Sequence, residues 1–159
     1  MRRIVLNDML GLFKKPEFHA QRATKQEFAS FLKFTVVRNT WARIYSVYKA
    51  VMRDPYFEIP PCDFGTFLYK LADFWALCPG THWITDFDGS LPLNRIVRFE
   101  NLADDMAEVL ADLGFRDRTL PHVLKGDNGC AYREAYNDQL AELVAERYRD
   151  EIKLFGYKF

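Results

Sequence analysis

The sequence predicts an α/β domain, helix-rich, in which a small parallel sheet is flanked by helices. Two short apolar runs, residues 33–37 and 95–99, carry the β-branched character of strands. Longer stretches with apolar residues at helical spacing lie between and after them. Strands that alternate with helices, instead of following one another through tight turns, pair in parallel and return through crossovers. No repeat, low-complexity tract or Gly/Ser/Pro-rich linker divides residues 1–159, so a single domain is expected.

Taken in order, residues 4–6 read as a short strand and 8–13 as a short helix. Thr24-Lys25-Gln26-Glu27 has the form of a capping box, which places a helix over about residues 25–32. The strand at 33–37 stops on Arg38, and a helix runs from Thr40 to about Arg53, before Pro55. Asp63 caps a third helix, with Phe64, Phe67, Leu68, Leu71, Phe74 and Trp75 on one stripe and Pro79-Gly80 at its end. Residues 86–90 are a turn, and 95–99 the second strand. Asn101 caps a helix reaching Leu113, with Gly114 just beyond it. A polar, glycine-containing loop spans residues 116–130. A last helical region covers 133–154, with Leu140, Leu143, Val144 and Tyr148 on one face.

Composition excludes several classes. At 159 residues and 49% hydrophobic, the chain can bury a real core. Lys+Arg and Asp+Glu both total 22, so there is no basic excess for coating nucleic acid, although one cationic cleft remains open. Cys62, Cys78 and Cys130 are an odd set without metal-finger or CxxC spacing, which fits a reduced, cytoplasmic setting. No apolar run approaches the ~20 residues of a membrane span, and Asn7-Asp8 interrupts the N-terminal apolar residues too early for a signal peptide.

The most informative run is Phe34-Thr35-Val36-Val37-Arg38-Asn39-Thr40-Trp41. A strand edge bearing an arginine, followed at once by a helix N-terminus, suits a phosphate: the guanidinium offers a planar fork of donors and the helix offers amides. Ser46, farther along the helix, adds a hydroxyl. The plain alternative is a surface arginine and a serine bonded to its own backbone.

Several pieces, in register, resemble the carbohydrate-type sulfotransferases that use 3′-phosphoadenosine 5′-phosphosulfate, the group called sulfotransferase family 2. The matching segments are Lys33-Phe34-Thr35-Val36-Val37-Arg38-Asn39, then Ile96-Val97-Arg98-Phe99-Glu100-Asn101-Leu102, then Tyr132-Arg133-Glu134-Ala135-Tyr136 with the tail from Ile152 to Phe159. The resemblance, over roughly residues 19–159, implies a P-loop-NTPase-like sulfotransferase fold. It implies transfer of a sulfuryl group from that donor to a hydroxyl of a carbohydrate or similar acceptor. Arg38 and Ser46 would grip the donor's 3′-phosphate, and Lys125, in His122-Val123-Leu124-Lys125-Gly126, would reach the nucleotide. His19 would be the general base. Solvated loop positions are the plain alternatives for His19 and Lys125. No metal, nucleic acid or membrane is implied.

Two departures stand out. Thr40 replaces the family's proline, and a threonine can cap the helix instead. More consequentially, the family's loop of the type Pro-Lys-x-Gly-(Gly or Ser)-Thr-Ser, which cradles the 5′-phosphosulfate, is not found; Leu6-Asn7-Asp8-Met9-Leu10-Gly11 stands in its place. The expectation is a fold truncated at its N-terminus, inactive or very slow as this chain alone. Residues 3–6, or a second copy of the chain, would then complete the sheet, unless the chain is a fragment of a longer one. A non-catalytic binding or assembly domain keeping only the 3′-phosphate half-site is the competing expectation. Arg98 and Glu100 are equally readable as a structural pair or as ligands; Asp86-x-Asp88-Gly89 lacks the remaining oxygens of a calcium loop, and Cys78 with His82 lacks further metal ligands. A GxxxxGK nucleotide loop is absent from the sequence.

Overall fold

The structure, a computed structural model, describes residues 24–70, 74–86, 88–115 and 131–159. His19 and Lys125, the expected strand and helix at residues 4–13 and the loop at 116–130 lie outside the described residues.

Helix α1 (Lys25–Ser30) opens with the complete capping box: the Thr24 hydroxyl accepts from the Glu27 amide and the Glu27 carboxylate accepts from the Thr24 amide. It ends before the expected residue 32, because Phe31 turns extended to feed strand β1 (Phe34–Val37). Helix α2 (Thr40–Arg53) follows after two residues. Its N-cap is Asn39, whose side chain accepts from the Ala42 amide, so Thr40 is the first helical residue and not the cap. Helix α3 (Phe64–Lys70) is capped by Asp63, which accepts from both the amide and hydroxyl of Thr66.

Pro79-Gly80 do not end that helix. They lead into a short α4 (Thr81–Ile84), and Trp75–Leu77 forms a separate 3-10 turn. The turn expected at 86–90 is present, with the Asp86 amide donating to the Ser90 carbonyl and Gly89 at φ +83°. Strand β2 (Arg95–Arg98) precedes α5 (Leu102–Asp112), which closes on Gly114, also at φ +83°. The last helical region is broken into α6 (Ala131–Glu134), α7 (Asp138–Arg147) and α8 (Arg149–Phe155). The first break is chemical: Asn137 caps α7 by accepting from the Leu140 amide.

Strands β1 and β2 pair in parallel, with Val36 opposite Val97 and Val37 opposite Arg98. Parallel neighbours need a long crossover, supplied here by α2 to α4. Helix α2 is the hub of the core, where Trp41, Ile44 and Val51 meet Phe64, Phe67, Leu77, Leu140, Val144 and Tyr148. Aromatic rings meet there at their edges, Phe64 against Tyr136 at 4.9 Å and Tyr48 against Phe67 at 5.3 Å, the arrangement ring quadrupoles favour. The sheet itself is only partly covered: Val97 is buried, while Phe34, Val36 and Ile96 remain 40–47% exposed.

Candidate functional site at the carboxyl ends of the strands

Both strands deliver their carboxyl ends to one place. β1 ends at Val37 and hands Arg38 to the rim, and β2 ends at Arg98 and hands over Phe99 and Glu100. The Arg38 guanidinium sits 4.4 Å above the centroid of the Phe99 ring, a cation–π stack. No hydrogen bond or ion pair engages it among the described residues. Burial pulls its pKa below the ordinary arginine value, and the Glu100 charge acts in the opposite sense. Arginine nevertheless stays protonated at neutral pH. The result is a half-buried cation fixed against a ring, with no described side chain taking its donors.

Glu100 is close enough to act on Arg38 electrostatically, yet it forms no ion pair with it. Its oxygens are oriented by other donors. Oε1 accepts from the Asn39 amide at 2.6 Å, and Oε2 accepts from the Tyr157 hydroxyl at 3.0 Å. Burial and that hydrogen bond push the Tyr157 phenol up to about 12.

The chain after α8 completes the surroundings. Gly156 takes the left-handed conformation at φ +68°, reversing the backbone toward the strand ends. The Arg98 guanidinium donates to the Phe155 carbonyl at 2.8 Å and stacks over the Tyr157 ring. The Asn39 side-chain amide donates to the Lys158 carbonyl, and the Phe159 ring packs against Trp41, Tyr132 and Tyr136. Asn39 thus caps α2, meets Glu100 and holds the tail together.

Beneath this rim lies a second polar cluster. Glu151 is 4% exposed; it accepts from the buried Thr40 hydroxyl at 3.0 Å, from Arg43 at 3.2 Å, and from the Gly80 amide. The fit explains Gly80, since a Cβ there would lie 3.3 Å from the Glu151 carboxylate. Arg43 also reaches the Cys78 carbonyl and stacks over Tyr148. This network clamps the first turn of α2 to α8.

Of the four residues singled out from sequence, the structure describes two. Arg38 stands at the carboxyl end of β1, stacked on Phe99. Ser46 is on the exposed side of α2, and no hydrogen bond links it to Arg38 or to another described residue. Arg98 and Glu100 do not pair with each other: one holds the tail and the other receives Asn39 and Tyr157. Cys62 and Cys78 are free thiols, and no cluster of three metal-ligating side chains occurs among the described residues. Nor is any described helix long and apolar enough to cross a membrane. Phe99, Tyr157 and Glu151 were not assigned roles by the sequence, because each acts on a residue far away in the chain. Comparison with protein-family profiles, curated proteins and solved structures gives no match.

Proposed function

We propose that this chain is a sulfotransferase-like domain whose strand-end rim receives the 3′-phosphate of 3′-phosphoadenosine 5′-phosphosulfate. One observation carries the reading: Arg38 is a half-buried cation, held on the Phe99 ring, that no described carboxylate pairs with. It stands at the carboxyl end of a parallel strand, the side on which open α/β sheets take their ligands. It also precedes the N-terminus of the 14-residue α2, whose dipole favours an anion. In this reading Arg38 binds the phosphate, Ser46 adds a hydroxyl donor, and Lys125 meets the nucleotide. When bound, the donor supplies the sulfuryl group; His19 takes the proton from a carbohydrate hydroxyl as that oxygen attacks sulfur, the bond from sulfur to the 5′-phosphate oxygen breaks, and 3′-phosphoadenosine 5′-phosphate leaves.

A second reading is a domain that binds the 3′-phosphate without catalysing transfer. It is favoured by the sequence, which has no Lys-x-Gly-x-Thr loop to stabilise charge on the transferring group. Even one such donor is worth about 2.7–4 kcal/mol, so transfer by this chain alone is expected to be very slow or nil.

The test is a thermal shift with 3′-phosphoadenosine 5′-phosphate. Wild type should be stabilised, and Arg38→Ala should lose the response. Equal responses would remove Arg38 from the site. A fast, donor-dependent sulfation rate by the purified chain would reject the non-catalytic reading.

A further inference from the structure

We infer that Tyr157 is a positioning residue that keeps Arg38 available by holding the Glu100 carboxylate away from it. The inference rests on the reading of Arg38 as the phosphate ligand.

A carboxylate and a guanidinium that face one rim normally close into a bidentate pair, which would fill the donors a phosphate needs. Here two bonds hold the carboxylate in an orientation that forms no pair with Arg38. The Asn39 amide takes Oε1 of Glu100 at 2.6 Å, and the Tyr157 hydroxyl takes Oε2 at 3.0 Å. Arg38 is left stacked on Phe99, the residue just before Glu100. The backbone amide cannot be lost while the chain turns from β1 into α2, so Tyr157 is the variable element.

Tyr157 is itself held firmly. Gly156 supplies the reversal at φ +68°, and Arg98 pins the turn through the Phe155 carbonyl while stacking 5.1 Å from the Tyr157 ring centroid. The Lys158 carbonyl, bonded to Asn39, fixes the far side of the tyrosine. Burial raises the pKa of the Tyr157 phenol, and its hydrogen bond to Glu100 adds to that rise.

Removal of this hydroxyl leaves Oε2 without its donor, and the carboxylate turns to Arg38. A neutral side chain at position 100 has no such tendency. The expected pattern is therefore a loss and a rescue. Affinity for 3′-phosphoadenosine 5′-phosphate, measured by calorimetry on the full chain, should fall about tenfold in Tyr157→Phe, equivalent to about 1.4 kcal/mol. Glu100→Gln should bind as tightly as wild type or more tightly, and the double variant should bind like Glu100→Gln. A Tyr157→Phe protein that binds as wild type does, or a double variant as weak as Tyr157→Phe, overturns the inference. If the tyrosine merely supported the fold, adding Glu100→Gln would not restore binding.

A second measurement separates this inference from the donor reading. The Arg38 Nε–H resonance, recorded without nucleotide, should move in Tyr157→Phe and return in the double variant. If wild type fails to bind the nucleotide but the resonance behaves so, the donor reading falls and the positioning role stands. If the resonance does not move, because Glu100 turns to solvent or to Arg98, the positioning role falls.

Discussion

Arg43 and Arg38 lie five positions apart, and each has a glutamate and an aromatic ring for neighbours, yet they end in opposite states. Arg43 is closed into Glu151 at 3.2 Å, under the Thr40 hydroxyl and over the Tyr148 ring. Arg38 lies over Phe99 with Glu100 beside it and no pair formed between them. The difference is in the carboxylates. Both carboxylates accept one bond on each oxygen from other donors, Glu151 from Thr40 and Gly80 and Glu100 from Asn39 and Tyr157, but only at Glu151 does the resulting orientation meet the arginine. An arginine beside a glutamate is thus closed into a pair or left on a ring according to how the glutamate is held. Burial strengthens the contrast, because Glu151 is sealed from water and Glu100 is exposed.

The comparison can be broken most forcefully at Glu151. Glu151→Ala strands the Arg43 charge and the Thr40 hydroxyl, and urea unfolding should show a loss of about 3–5 kcal/mol. Glu100→Ala, in an exposed setting, should cost under about 1 kcal/mol. If the two losses are equal, burial does not separate the clusters. Next comes Asn39→Ala, which removes the cap of α2 and the tie to Lys158; about 1–2 kcal/mol should be lost by the same measurement. Arg38→Ala should be milder still, about 0.5–1 kcal/mol for the lost stack on Phe99, while Arg43→Ala should be as damaging as Glu151→Ala.

The smallest effect is in alkali. The Tyr157 phenol keeps its proton in the fold up to about 12, whereas in the unfolded chain it ionises near the ordinary tyrosine value of about 10. The unfolded state therefore binds fewer protons between those limits. Its contribution to stability is complete below about 10 and declines as pH rises through that window. Burial raises Tyr136 and Tyr148 as well, so they add to the same decline. Urea midpoints followed from pH 8 to about 11.5 should fall steadily, and less steeply in Tyr157→Phe. An unchanged slope in that variant would contradict the raised pKa of Tyr157.

Much of the local structure was legible because its causes are local. The Thr24–Glu27 box, the Asp63 cap, the turn at Gly89 and the stop at Gly114 are each written within a few residues. Arg38 could be singled out for the same reason, lying where an apolar strand meets a helix. What escaped depends on partners distant in sequence. Asn39 took the cap from Thr40 because Thr40 was needed by Glu151, 111 positions away. Glu100 found its donors 61 and 57 positions away. Residues 133–154 carry an apolar face that reads as one helix; the caps at Asn137 and Tyr148 divide it, and Tyr148 is buried where the chain bends.

The bond from Asn39 to the Lys158 carbonyl spans 119 positions of sequence. Contacts of such range form late, since a long loop must close before they stabilise anything. The helices can therefore assemble while Glu100 still lacks its tyrosine and is free to cover Arg38. A refolding chain would pass from a self-neutralised rim to an open one only when its tail docks.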